Sequence, residues 1–155
     1  MQELFFSKLK KVKLIKVNNS KGHMLILYKI LKERKKKNNI SHHSVPILEE
    51  HISFINSFPY RYWFIIKKSR KTLGSVYITK NNEISITLLK KSKSYFREII
   101  NLIIENIKPL PAIPSRRNGN FILNIAPNNK LYINLLNSIG SKKIQETYLL
   151  NISST

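Results

Sequence analysis

The residues with the clearest chemical potential lie between positions 83 and 107. There an apolar run (Ile84-Ser85-Ile86-Thr87-Leu88-Leu89) passes through Lys90-Lys91-Ser92-Lys93-Ser94 into an amphipathic helical pattern. A strand–loop–helix junction presents free backbone N–H groups at the helix start, where the helix dipole also favours anions. Such junctions hold phosphates, usually with glycine in the loop so that the backbone can come close. This loop has no glycine and three lysines. The lysines favour phosphate through charge-assisted contacts. Ser94 is small enough to cap the helix and offers a hydroxyl donor. Phe96 is the bulky residue of the junction, and its spacing with Ile99 and Ile100 predicts that it points inward. The opposite reading is a capped turn with no ligand.

The remaining polar residues divide between chemistry and packing. The histidines are His23, His42, His43 and His51. A carboxylate such as Glu83, or a histidine, can remove a proton from an attacking amine directly or through water. Tyr60, Tyr62 and Trp63 offer an aromatic wall, although Trp63 lies in an apolar strand and suits the core. No carboxylate stands at a convincing metal-ligand spacing from His42, His43 and His51, and the chain has no cysteine, so no metal site is expected.

These groups must be held by periodic elements. Residues 11–17 alternate as a strand. Asn18-Asn19-Ser20 caps a helix with Met24, Leu27, Tyr28 and Leu31 on one face, ending in the basic run 32–37. Pro46 opens a second helix carrying Leu48, Ile52 and Ile55. Strands are expected at 62–67, 73–79 and 83–89, joined by short polar turns as an antiparallel meander. The helix after the lysine loop places Phe96, Ile99, Ile100, Ile103, Ile104 and Ile107 on a buried face. A proline-containing loop (108–118) leads to a strand at 121–125. Asn128 or Asn129 then caps a helix with Tyr132, Leu135, Leu136 and Ile139 inward; Gly140 ends it, and 143–150 alternates as a final strand. The order β-α-α-β-β-β-α-β-α-β predicts an α/β domain with a mixed, mostly antiparallel sheet and helices on both faces. One domain spans 1–155, with 1–10 as an N-terminal extension.

The formal charge of +20, from 28 Lys and Arg against 8 Asp and Glu, has two readings. Clustered cations would bind nucleic acid in a salt-dependent way. Joint over-use of Lys, Asn and Ile along the chain instead suits AT-rich coding, which scatters lysines over solvated faces. No apolar run approaches the ~20 residues of a membrane span. The first residues place an acid before the lysines, unlike a signal peptide. A cytoplasmic monomer or homodimer is expected.

The element order and a series of phrases resemble the GNAT superfamily of acetyl-CoA-dependent N-acetyltransferases. The phrases are Lys32-Glu33-Arg34, Asn39-Ile40-Ser41-His42, Glu49-Glu50-His51, Pro59-Tyr60-Arg61-Tyr62-Trp63, Gly74-Ser75-Val76-Tyr77-Ile78-Thr79, Asn82-Glu83-Ile84, Asn124-Ile125-Ala126-Pro127-Asn128-Asn129 and Leu136-Asn137-Ser138-Ile139-Gly140. Together they cover roughly residues 11–150. The family's loop pattern, Arg/Gln-x-x-Gly-x-Gly/Ala, falls on Lys91-Ser92-Lys93-Ser94-Tyr95-Phe96, so both small positions are replaced.

The resemblance implies transfer of an acetyl group from acetyl-CoA to a small-molecule amine. It implies that Leu88, Leu89, Lys91, Ser92, Lys93, Ser94, Tyr95, Phe96 and Asn129 line the coenzyme. Glu83 and His42 become candidates for proton transfer, and Glu33, Arg34, Ser41 and Tyr60 for the acceptor cleft. The family's general-acid tyrosine falls on Leu136, which leaves solvent or Tyr132 to reprotonate the thiolate. Without cysteine, direct attack in a ternary complex is expected. The alternative is an inactive module of the same fold, binding a partner or nucleic acid through its lysines.

Overall fold

The computed structural model describes residues 4–6, 12–35 and 44–151. A six-stranded sheet runs in chain order: β1 (Leu4–Phe6), β2 (Lys13–Lys16), β3 (Tyr62–Lys68), β4 (Lys71–Ile78), β5 (Glu83–Leu88) and β6 (Ile122–Leu123). All neighbours are antiparallel except β5 and β6, which are parallel. The helices are α1 (Lys21–Lys35), α2 (Leu48–Asn56), α3 (Lys93–Asn106) and α4 (Lys130–Ser138). The architecture is α/β with a mostly antiparallel open sheet. Among the described residues no helix is long and apolar enough to cross a membrane.

Strand alternation sends two sets of side chains to opposite faces. On one face Leu14, Phe64, Ile66, Val76, Ile78 and Ile84 pack against Ile99, Leu102 and Ile103 of α3. On the other, Ile65 packs with Met24 and Leu27 of α1 and Ile55 of α2. Each such side chain, fully buried, contributes about 1.5–3 kcal/mol. A third cluster joins Phe96 and Ile100 of α3 to Tyr132 and Leu135 of α4, extending the α3 side towards β6.

Local chemistry explains the joints. Ser20 Oγ accepts from the His23 amide at the start of α1, and Glu50 accepts from the Ile47 amide at the start of α2. Gly74 is required by close approach: a Cβ there would lie 1.9 Å from the Thr87 carbonyl oxygen. Asn82, in the left-handed region (φ 63°), closes the β4–β5 turn. Its fully buried amide side chain bonds to Leu110 and Asn118 and pins the loop that feeds β6.

Several expectations need correction. Ile104 is 61% exposed and Leu102 takes its place in the core, because the buried face of α3 rotates towards the sheet. Ile139 is likewise exposed at the end of α4, where the chain turns away at Gly140 (φ 83°). The amides of Gly140 and Ser141 close that end on the carbonyls of Asn137 and Leu136. Residues 143–150 form no strand, since no sheet edge among the described residues lies beside them; residues 141–151 are all exposed. Conversely, residues 4–6, expected within an extension, pair with β2.

Candidate functional site

The lysine loop begins where β5 ends. The Leu89 amide still bonds to the Leu73 carbonyl (2.9 Å), but the amides of Lys90, Lys91, Lys93 and Ser94 make no hydrogen bond among the described residues, while the Ser92 N–H faces the Tyr132 hydroxyl. Ser92, extended at φ −151° and ψ 118°, is the N-cap of α3, and its Oγ accepts from the Tyr95 amide at 3.2 Å. The cap is therefore Ser92 and not Ser94, which is the second residue of the helix. Lys90, Lys91, Lys93 and Ser94 are exposed. Free amides at a 14-residue helix start, with three exposed lysines among the same residues, have the composition of an anion site.

Phe96 does point inward. It is fully buried and stacks on Tyr132, with centroids 4.0 Å apart and an interplanar angle of 11°. Its bulk therefore lies beneath the loop, in the α3–α4 core. Tyr132 is also buried, yet its hydroxyl has no hydrogen-bond partner. That hydroxyl lies beside the Ser92 backbone, which draws the phenol back towards its ordinary pKa after burial has pushed it up. Asn129, the N-cap of α4, is 9% exposed, makes no side-chain cap, and leaves Oδ1 unpartnered. The unpartnered Asn129 Oδ1 is costly unless something meets it, and the Tyr132 hydroxyl has only the Ser92 backbone beside it.

The two parallel strands complete the arrangement. β5 and β6 pair only at Glu83 with Ile122 and at Ile84 with Leu123. Beyond that point β5 continues to Leu88 with no strand on this side among the described residues, so a wedge opens towards the lysine loop. Its α3 side is closed by Ile86, Leu88, Leu123 and Ile125 over Phe96 and Tyr132. Thus the Leu88 side chain belongs to the core, and only its backbone edge is available. Leu89 is half-buried at the exit of the strand.

At the closed end of the wedge Glu83 is held by its neighbours. Its carboxylate accepts from Thr79 Oγ1 (3.3 Å) and from Asn124 Nδ2 (3.4 Å). Alternation puts Glu83, Ser85 and Thr87 on the α1–α2 face, beside Ser75 and Tyr77 of β4. Tyr60 stacks flat on Tyr77 (3.8 Å, 3°) and meets Trp63 edge-on at 4.9 Å. Burial and the Tyr77 hydroxyl push the Tyr60 phenol well above its ordinary value, while Arg34 draws it back. Arg34, Tyr60, Tyr77 and, two residues along β5 from Ser85, Glu83 therefore share one side of the sheet. Glu33 is exposed on α1. Ser41 and His42 lie outside the described residues, as does His43.

His51 is buried with Nε2 unpartnered, and burial lowers its pKa. It packs between Tyr28 and Phe54. Trp63 is half-buried, packs on the α1–α2 cluster and leaves Nε1 unpartnered. Among the described residues no three His, Asp or Glu side chains gather as a metal site. Sequence reasoning missed Thr79 and Asn124 as holders of Glu83, and Tyr77 as the floor under Tyr60. Period-two alternation across β4 and β5 was the signal for Tyr77; nothing local signalled Asn124. No protein-family model matches this chain, and no curated protein matches it.

Proposed function

We propose that this chain is a GNAT-like N-acetyltransferase that moves an acetyl group from acetyl-CoA to an amine of a small molecule. One observation carries the reading: parallel strands that pair for two residues and then part, ending at a turn of free amides. A wedge of this shape offers an extended ligand the unpaired edge of β5 and delivers its phosphates to the amides and lysines of residues 90–94. Asn129 Oδ1 and the Tyr132 hydroxyl supply buried polar atoms that a bound pantetheine arm and pyrophosphate would satisfy. The inward Phe96 explains how the loop tolerates a residue larger than glycine or alanine.

Acetyl-CoA, when bound, supplies an activated thioester carbon; the chain supplies position and proton transfer. Glu83 accepts the amine's proton, directly or through one water, while Thr79 and Asn124 hold its carboxylate in place. Five steps along β5 at about 3.3 Å each put the loop end about 17 Å from Glu83. Tyr132, beside Ser92, is therefore at the phosphate end, and the departing thiolate takes its proton from solvent. Arg34, Tyr60 and Tyr77 form one wall of the acceptor cleft, with Glu33 at its rim. The resemblance also assigns Ser41 to acceptor binding and His42 to proton transfer; both lie outside the described residues.

The test is calorimetric titration of the chain with acetyl-CoA at moderate salt. Saturable binding, weakened when Lys91 and Lys93 are both changed to Gln, is the expected result. No binding at millimolar ligand would sink the proposal. The charge of +20 and the glycine-free loop favour a second reading, an inactive module that binds nucleic acid through its lysines. That module would show steep salt dependence with DNA or RNA and indifference to CoA.

A further inference from the structure

Two basic segments far apart in the sequence meet at one end of the sheet. The first is the β3–β4 turn with its flanks, Lys67-Lys68-Ser69-Arg70-Lys71; the second runs from Lys90 to Arg97. Together they hold eight of the chain's 28 Lys and Arg in 13 of its 155 residues, with no Asp or Glu. Lysines scattered evenly by coding bias would not reach that density. Strand pairing brings the segments together. Lys68 stands opposite Lys71, Gly74 opposite Leu88, and the Leu89 amide bonds to the Leu73 carbonyl, so β5 leaves the sheet beside the turn. Lys68 Nζ donates to the Tyr95 hydroxyl at 3.0 Å, which ties the turn to the start of α3.

The charge of this surface is unanswered within the chain. Arg70, Lys71, Lys90, Lys91, Lys93 and Arg97 are exposed, and none of the six forms an ion pair among the described residues. Lys93 and Arg97 stand one helical turn apart, on the same side of α3. The next acid along α3, Glu98, accepts from the Val12 amide at 3.0 Å. Adjacent strands lie about 4.8 Å apart, so the ends of β3 and β5 span about 10 Å. That length of duplex axis carries about six phosphate charges. The aromatics of the two segments are Tyr95, half-buried and bonded to Lys68, and Phe96, fully buried. Neither offers the stacking platform that unpaired bases use, which favours a duplex over a single strand.

We infer that this end of the sheet binds the phosphate backbone of double-stranded nucleic acid without reading its sequence. Long-range attraction and counter-ion release supply the affinity, and the two segments act as one surface. Lys67, Lys68, Arg70 and Lys71 lie outside the wedge, so the inference holds whether or not the chain transfers acetyl groups.

Fluorescence anisotropy with a labelled DNA duplex of about 20 base pairs, repeated over a range of salt, tests it. Affinity should fall linearly on a logarithmic plot, equally for duplexes of unrelated sequence. Changing Arg70 and Lys71 together to Gln removes two phosphate contacts, so the slope should become shallower by about 1.8. Lys71→Gln with Lys90→Gln, one change in each segment, should do the same. Lys80→Gln with Arg116→Gln, exposed cations around the β4–β5 turn at the opposite end, should keep the original slope. Unchanged circular dichroism spectra are expected for all three variants. No binding at about 50 mM salt would overturn the inference. So would an equal loss in the Lys80 and Arg116 variant, an unchanged slope in either of the other two, or a single strand that binds more tightly than the duplex.

Discussion

Replacing Asn82 by Ala should cost about 3 kcal/mol of stability, which follows from three hydrogen bonds of one buried side chain. Asn82 Nδ2 donates to the carbonyls of Leu110 (2.8 Å) and Asn118 (2.7 Å), and its Oδ1 accepts from the Leu110 amide (2.7 Å). Each bond contributes about 1 kcal/mol net, and more where the abandoned partner stays dry. Alanine in the left-handed region adds about 1 kcal/mol of strain. Leu110 is half-buried and Asn118 exposed, so water recovers part of the loss. The net of about 3 kcal/mol corresponds to a fall of about 6–12 °C in Tm for a chain of this size. Asn82→Gly loses the same bonds without the strain and should recover about 1 kcal/mol.

Urea denaturation of the three proteins measures both numbers. The same side chain anchors the loop that feeds β6, so Asn82→Ala should also weaken acetyl-CoA binding. A loss under about 1 kcal/mol for Asn82→Ala would refute the reasoning, because three buried bonds cannot be that cheap unless loop and side chain are not joined. A glycine variant no better than alanine would show that the positive φ is not held in the folded chain.

Other changes have equally definite outcomes. Gly74→Ala drives a Cβ against the Thr87 carbonyl, so β4 and β5 must separate; thermal unfolding should show a loss of several kcal/mol or no folded protein. Tyr132→Phe removes an unsatisfied buried hydroxyl, so the free protein should be as stable or about 1 kcal/mol more stable, while acetyl-CoA affinity falls. Both effects are read by melting with and without the ligand. Burial lowers the pKa of His51, so the unfolded chain takes up its proton first as pH falls. Its contribution is complete above the unfolded value of about 6.5 and is lost as pH falls through the lowered folded value. His23 shifts the same way through burial and Lys67, so His51→Gln should leave a shallower stability–pH slope between pH 7 and 5, not a flat one.

The sequence by itself determined the local elements, because hydrophobic period and turn chemistry act over a few residues. Alternation marked β3 to β5, the serine-rich loop marked the start of α3, and Gly140 marked the end of α4. The inward turn of Phe96 was also legible, since it shares a helical face with Ile99 and Ile100. Tertiary structure alone decided what depends on distant segments meeting. The bond from Asn124 to Glu83 spans 41 residues, and the stack of Phe96 on Tyr132 joins two helices. β5 and β6 part after two paired positions, which no periodicity reports. Residues 143–150 show the same limit from the other side: their alternation is a strand's, but a strand exists only where an edge receives it.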